Sequence, residues 1–185
     1  MAVQTAFLGL GSNLGDRPSW LVQTVDALHA LPRSRVAGLS SLYETEPWGL
    51  KEQPAFLNAA CGLETGLEAS ELVRACQEIE NRLQRQRQVH WGPRTVDIDL
   101  LVFGRDIIHT QGLQVPHPRL AQRRFVLVPL AELAPALFIP GLDRTVEALL
   151  AVCPDQGGVT LYAKGVEAWQ KRRASRMSPT SPSKA

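Results

Sequence analysis

No stretch of this 185-residue chain approaches the ~20 consecutive apolar residues of a membrane span. The longest apolar runs, such as Phe125 to Pro129, are cut short by charge or proline, so a membrane-spanning helix is excluded. Cysteine is scarce as well: three residues, none beside another Cys or a His at ligand spacing. That excludes a disulfide framework, and Cys61, Cys76 and Cys153 read as reduced core thiols. The opening Met-Ala-Val-Gln-Thr lacks the basic flank and apolar block of a secretory signal, which makes the cytoplasm the expected compartment. Internal repeats are missing. A net charge is nearly missing too: 20 Lys and Arg stand against 18 Asp and Glu for a formal +2, and even that excess is local. Lys164, Lys171, Arg172, Arg173, Arg176 and Lys184 stand against Glu167 for +5 after residue 163, which leaves residues 1–163 at −3. A basic nucleic-acid-binding body is therefore not expected. The division reads as one domain over 1–163 followed by a basic, Ser/Pro-rich extension over 164–185. From about residue 175 that extension has no periodic apolar positions to repay ordering, and it is expected to be disordered and dispensable.

The body alternates its hydrophobic periods. Val3 to Leu10 is an apolar run closed by Gly11-Ser12-Asn13, a strand ending in a turn. Asp16 and Pro18 open a helix carried by Leu21, Val25 and Leu28, which Pro32 stops. Arg35 to Thr45 and Phe56 to Leu63 are strand-like, with a Pro/Gly-rich loop between them. Leu72, Cys76, Ile79 and Leu83 form one helical stripe from about Glu68, and Val96 to Phe103 is a strand that ends at Gly104. Strand, helix, strand, strand, helix, strand is the split βαβ arrangement. The predicted fold class is α+β, a ferredoxin-like βαββαβ core in a three-layer α/β/α sandwich with a mostly antiparallel sheet. Shorter pieces follow: Leu127 to Leu133, a helix near Thr145 to Val152, and a terminal strand at Val159 to Tyr162.

Chemistry concentrates in Trp91-Gly92-Pro93-Arg94-Thr95-Val96-Asp97-Ile98-Asp99. Residues two apart on a strand share a face, so Asp97 and Asp99 project together while Val96, Ile98 and Leu100 turn into packing. Two converging carboxylates repel unless a cation relieves them, and a hard, oxygen-preferring ion such as Mg²⁺ meets that need. Arg82, Arg85, Arg87, His90 and Arg94 lead directly into the pair. Cations for phosphate beside carboxylates for metal is what phosphoryl transfer asks of a protein, because the reaction is mostly positioning and charge neutralisation. A solvated edge strand and an arginine-rich helix end are the plainer readings of the same residues. Thr45-Glu46-Pro47-Trp48-Gly49 and Phe56-Leu57-Asn58 offer aromatic faces and one amide in an apolar strand, suited to a flat, amide-rich heterocycle. Pro116-His117-Pro118 presents an imidazole from a stiff setting, and Arg123, Arg124 and Phe125 add two cations and a ring.

Together with Gly9-Leu10-Gly11-Ser12-Asn13-Leu14-Gly15, these blocks resemble the successive motifs of the 6-hydroxymethyl-7,8-dihydropterin pyrophosphokinase family of folate biosynthesis, in order from about residue 3 to 140. The resemblance implies ATP as co-substrate, two Mg²⁺ ions, and transfer of pyrophosphate to the pterin hydroxymethyl group with release of AMP. It implies Asp97 and Asp99 as metal ligands, either one able to take the hydroxyl proton, with Arg94, Arg85 and Arg87 completing the catalytic set. It implies Glu80, Trp91, Arg94, Ile98, His117 and Arg123 at the nucleotide, and Thr45, Glu46, Trp48, Phe56, Asn58 and Phe125 at the pterin, which lies between Phe56 and Phe125. Gly112 and Gln114 depart from the pattern, standing where some members carry Arg and Thr; either nucleotide affinity is altered or Arg119 and Arg124 compensate. Partners are expected to be the two small substrates, without nucleic acid or membrane, and the protein is expected to be a monomer. A dinucleotide-binding domain is disfavoured because the third glycine of Gly9-x-Gly11 comes one position late, at Gly15. An RNA-binding module of the same fold leaves the paired acids unexplained, and an inactive relative would not need both acids, Arg94, Asn58 and His117.

Overall fold

The computed structural model describes residues 2–49, 52–84 and 92–164. Arg85, Arg87, Trp91 and the extension beyond Lys164 lie outside the described residues. The chain runs β1 (Gln4–Ser12), α1 (Arg17–His29), β2 (Ser34–Leu39), β3 (Leu42–Thr45), β4 (Phe56–Thr65), α2 (Ala69–Arg82) and β5 (Asp97–Phe103). It continues with β6 (Ile108–Thr110), β7 (Leu113–Val115), α3 (Arg124–Leu133), β8 (Phe138–Ile139), β9 (Arg144–Thr145), α4 (Val146–Ala151) and β10 (Val159–Ala163).

The main sheet orders β10-β3-β4-β1-β5, with β2 also on β4, and every pairing is antiparallel. β1 therefore lies between β5 and β4, and β2 and β3 together line the other side of β4, as a split βαβ requires. Helices cover both faces. α1 and α2 close one core over Leu8, Leu10, Leu57, Cys61 and Leu63. α3 and α4 close the second over Ala60, Leu101 and Val102. That makes three layers, and it explains why β4 is apolar at nearly every position: it is buried on both sides. All three cysteines are free and buried.

Capping follows the sequence. Asp16 Oδ1 accepts the Ser19 N–H at 3.1 Å to open α1, and the Glu71 carboxylate accepts the Glu68 N–H at 2.8 Å to open α2. The expected single strand over residues 35–45 is instead two. The pairing slips by one residue within β2, and Ser40 Oγ rather than a backbone oxygen takes the Ala60 N–H, at 2.8 Å. From α3, Glu132 then accepts bonds from the Ser41 N–H, the Ser41 hydroxyl and the Tyr43 hydroxyl, which pins the break. α3 starts at Arg124, three residues before the apolar run at Leu127, because Asp155 reaches back to accept the Arg124 N–H at 2.9 Å. Among the described residues, no helix is long and apolar enough to cross a membrane.

Candidate active site

The sheet register assembles the centre of the site. Gly11 of β1 lies between Asn58 of β4 and Asp97 of β5, and Gly9 lies between Ala60 and Asp99. Two rows thus cross the sheet with no side chain in the middle, so the carboxylates and the Asn58 amide face a shared hollow. A β-carbon on Gly11 would stand 2.9 Å from Asn58 Oδ1 and 3.7 Å from the Asp97 β-carbon, which is why this position carries none.

Each acid has its own arginine. Arg94 reaches Asp97 Oδ2 at 2.6 Å, and Arg123 reaches Asp99 Oδ2 at 3.6 Å. Desolvation and then the neighbouring Asp97 still push the Asp99 carboxyl up to about 6, so the two arginines do not satisfy the pair. Both arginines keep a buried Nε without a hydrogen-bond partner among the described residues. A site rich in unspent donors and in crowded carboxylates is built for ligands that bring both negative oxygen and metal charge. Among the described residues, no third His, Cys, Asp or Glu joins Asp97 and Asp99 as a metal cage. A metal here would therefore take most of its oxygens from a ligand or water, the habit of Mg²⁺.

A cavity of about 440 Å³ runs along the outer edge of β5, between α2 and the β6–β7 hairpin. Glu80, Gln77, Asp97, Ile98, Asp99 and His117 line it. Glu80 is 4 % exposed, and its Oε1 accepts the Ile98 N–H at 2.8 Å, satisfying the edge of the strand exactly between the two aspartates in sequence. His117 is anchored by its own N–H on Leu101 O at 2.9 Å. Its Nδ1 accepts the Arg119 N–H at 3.1 Å, so the ring proton sits on Nε2. Burial, then Arg123 and Arg119, lower its pKa to about 4, which keeps the imidazole neutral at physiological pH. Gly112 and Gln114 also line this cavity. Gly112 has φ +85° in the turn between β6 and β7, where a side chain would be strained although no atom stands within 4 Å of its β-carbon position.

The aromatic side is equally close. Phe56 is buried on β4 with Arg94 over its ring at 4.9 Å. Asn58 Nδ2 donates to Thr45 Oγ1 at 2.7 Å, and both residues are buried. Trp48 packs under Arg123 at 5.1 Å and Arg119 at 5.6 Å, and Arg123 also lies 5.7 Å from the Phe125 ring. Glu46 is exposed, its Oε1 3.6 Å from where a β-carbon on Gly158 would stand. Arg94, Asp97, Asp99, Arg123, Phe56, Asn58 and Thr45 are thus drawn together, with His117, Glu80 and Ile98 on the cavity side. Three residues carried no separate signal. Asn13 read as part of a turn yet is 2 % exposed and bonded to both loops beside the site. Cys76, read only as core, also lines the cavity. Asp155 comes 31 residues after the Arg124 that it holds.

Comparisons with known proteins point to one family. The family model for 7,8-dihydro-6-hydroxymethylpterin-pyrophosphokinase (HPPK) matches residues 7–135. The 2-amino-4-hydroxy-6-hydroxymethyldihydropteridine pyrophosphokinase of Bacillus subtilis is 50 % identical over 128 residues, covering 69 % of this chain and 77 % of the relative. The protein of the same name in Pseudomonas aeruginosa is 41 % identical over 155 residues, covering 84 % of this chain and 95 % of that one. The crystal structure of wild-type Plasmodium falciparum HPPK-DHPS with pteroate superposes with a TM-score of 0.66 at 15 % identity. The match covers 81 % of this chain and 42 % of the longer one, a likeness of fold. With the paired aspartates, their arginines and the motifs from Gly9 to Arg119 all inside or beside the matched span, the chain belongs to the 7,8-dihydro-6-hydroxymethylpterin-pyrophosphokinase family.

Proposed function

We propose that this pyrophosphokinase of folate biosynthesis carries out its reaction over Asp97 and Asp99. ATP lies in the cavity along β5, and the pterin lies on the aromatic side between Phe56 and Phe125. The reaction transfers pyrophosphate from ATP to 6-hydroxymethyl-7,8-dihydropterin and yields the pterin diphosphate and AMP. The observation that carries the reading is the paired carboxylates, still short of positive charge, beside two arginines with unspent Nε donors.

Asp97 and Asp99 would hold two Mg²⁺ ions, which when bound would neutralise phosphate charge and make the hydroxyl more acidic. Arg94 and Arg123 turn their free donors to phosphate, exchanging part of their carboxylate contact for it. His117, neutral and protonated on Nε2, donates to a phosphate oxygen without adding charge. Glu80 fixes the edge of β5 at Ile98 and so holds the two aspartates in register. Arg85, Arg87 and Trp91 complete the phosphate side. On the pterin side, stacking on Phe56 and Phe125 selects a flat ring, and the Asn58 amide with the Thr45 and Trp48 backbone reads its polar edge. Glu46 borders that edge. The enzyme works as a cytoplasmic monomer without a nucleic-acid partner. Both faces of its sheet are covered by its own helices, and acids on the site face repel nucleic-acid phosphate. Residues 1–163 are the catalytic domain, and removing residues 176–185 leaves turnover unchanged.

The deciding assay is AMP release from ATP with Mg²⁺, with and without 6-hydroxymethyl-7,8-dihydropterin. Pterin-dependent AMP that disappears in Asp97→Ala and Asp99→Ala, with pterin binding largely kept, is expected. Absence of pterin-dependent AMP at any enzyme concentration would overturn the reading.

A further inference from the structure

The cavity along β5 changes character from one end to the other. Asp97, Asp99, Glu80 and His117 make one end charged and polar, while Val73, Leu100 and Leu113 give the other apolar walls. Leu100 stands three residues along the strand from Asp97, roughly 10 Å at ~3.3 Å per residue. A nucleotide whose phosphates reach the aspartates therefore lays its base between those walls.

Two side-chain amides line the cavity from opposite sides: Gln77 from α2, one turn before Glu80, and Gln114 from β7. Both residues are exposed, and neither amide makes a hydrogen bond among the described residues. The hydroxyl nearby is already spent, since Thr110 donates to Leu113 O at 3.4 Å. At Gly112, in the β6–β7 turn, no atom stands within 4 Å of where a β-carbon would be, so the wall beside Gln114 is open.

A primary amide offers a donor and an acceptor side by side, and half a turn about its last bond exchanges them. Adenine presents an amino donor next to the N1 acceptor. Guanine presents the O6 acceptor next to the N1 donor, the same pattern reversed, and adds a 2-amino group. An amide committed to a second partner would keep one orientation and select one base, because the other base would leave polar groups unpaired. Gln77 and Gln114 carry no such commitment, and the open wall at Gly112 has room for the extra amino group.

We propose that the base end of this cavity takes either purine, so that guanosine and adenosine triphosphates both serve as pyrophosphoryl donors, with Gln114 and Gln77 deciding between them; this rests on the placement of the nucleotide along β5. The transfer itself is unchanged. The hydroxymethyl oxygen bonds to the β-phosphorus, the bond from the β-phosphorus to the α–β bridging oxygen breaks, the hydroxyl proton is released, and GMP leaves in place of AMP.

The test is calorimetric titration of the full chain with a non-hydrolysable ATP analogue and its GTP counterpart, each with Mg²⁺, alongside rates of AMP and GMP release with 6-hydroxymethyl-7,8-dihydropterin. Wild type binds the two analogues within about tenfold of each other and releases each monophosphate only when the pterin is present. Gln114→Leu and Gln77→Leu, both at exposed positions, weaken the two analogues alike and leave their ratio unchanged. Gln114→Glu offers acceptors only, so it pairs with the N1–H and 2-amino group of guanine and opposes N1 of adenine. The ratio then moves toward guanine by about tenfold or more, and the added charge cancels from it because both ligands carry the same triphosphate. An ATP preference above about tenfold in wild type, or a ratio that neither Gln114→Glu nor Gln77→Glu moves, overturns the inference. Affinities for both analogues that are indifferent to Gln114→Leu and to Gln77→Leu overturn instead the placement of the nucleotide on which it rests.

Discussion

Adding one methyl group at Gly11 separates the two halves of the site. The β-carbon of Gly11→Ala would stand 2.9 Å from Asn58 Oδ1, inside the distance that real β-carbons keep, whereas its 3.7 Å approach to the Asp97 β-carbon and 3.9 Å to Phe56 Cδ1 are ordinary contacts. The strain therefore falls on Asn58 alone. Its amide must retreat by about half an ångström, and Asn58 is 8 % exposed, with nowhere to go that preserves its 2.7 Å bond to Thr45. Losing the bond to Thr45 costs about 1 kcal/mol of stability, and misdirecting the amide that reads the pterin costs about 1 kcal/mol of binding, or about fivefold in pterin affinity. Nucleotide affinity stays within about twofold of wild type, because Asp97 and Arg94 are not displaced. Alanine is also better accommodated than glycine in a strand by about 0.5 kcal/mol, so the melting temperature falls little. Calorimetric titration of pterin and of the ATP analogue, with a thermal melt, reads all three quantities. Pterin affinity within twofold of wild type, or an equal loss for both ligands, would refute the reasoning.

Asp99→Asn abolishes turnover yet stabilises the metal-free protein, because it removes the charge that Asp97 and desolvation oppose. With the Asp99 side chain 39 % exposed and partly screened, the gain is about 1 kcal/mol at pH 7, and a melting temperature below wild type would count against it. Asp155→Ala leaves the first N–H of α3 without its carboxylate and costs about 1 kcal/mol. Since Arg123 and Phe125 flank that N–H, KM for ATP and for pterin both rise, and unchanged values would show that Asp155 holds only the helix. Burial pushes the Cys61 thiol, and burial with Glu132 the Tyr43 hydroxyl, up to about 12 each from 9.0 and 10.0. The folded protein keeps these protons where the unfolded chain releases them, so their stabilisation is complete below pH 9 and is lost as pH rises toward 12. Thermal melts should decline across that window, and Tyr43→Phe should flatten the decline above pH 10; an unaltered slope would refute the assignment.

The order of strands and helices was legible because burial on one face of α1 and α2 leaves a periodic trace. β4 was legible as a strand because burial on both faces leaves a continuous apolar run. The Asp97–Asp99 pair was legible for the same reason, since alternation along β5 puts both side chains on the open face whatever the partners are. The break at Ser40 and Ser41 was not, because serine hydroxyls that replace backbone acceptors look like any polar pair in an otherwise strand-like segment. The two-strand hairpins were too short to show a period. The start of α3 depends on a carboxylate from the far side of α4, and Asn13 on loops 40 and 81 residues away, so neither has a local signature. The glycines of β1 were read as a motif; only the register explains them, as the empty middle of rows that begin at Asn58 and Ala60 and end at the two aspartates.

The outer edge of β5 has a consequence for the life of the protein between turnovers. It ends the main sheet and must stay accessible for the cavity to admit nucleotide, and an open strand edge is also where a second molecule can add a strand and begin an aggregate. Glu80 occupies the Ile98 N–H, and Asp97 and Asp99 lay charge along the same strand, so the groups that prepare the site for its substrate also make it a poor template for another chain. Folate-pathway flux and colloidal solubility are thereby guarded by the same three carboxylates, and a variant that loses them surrenders both.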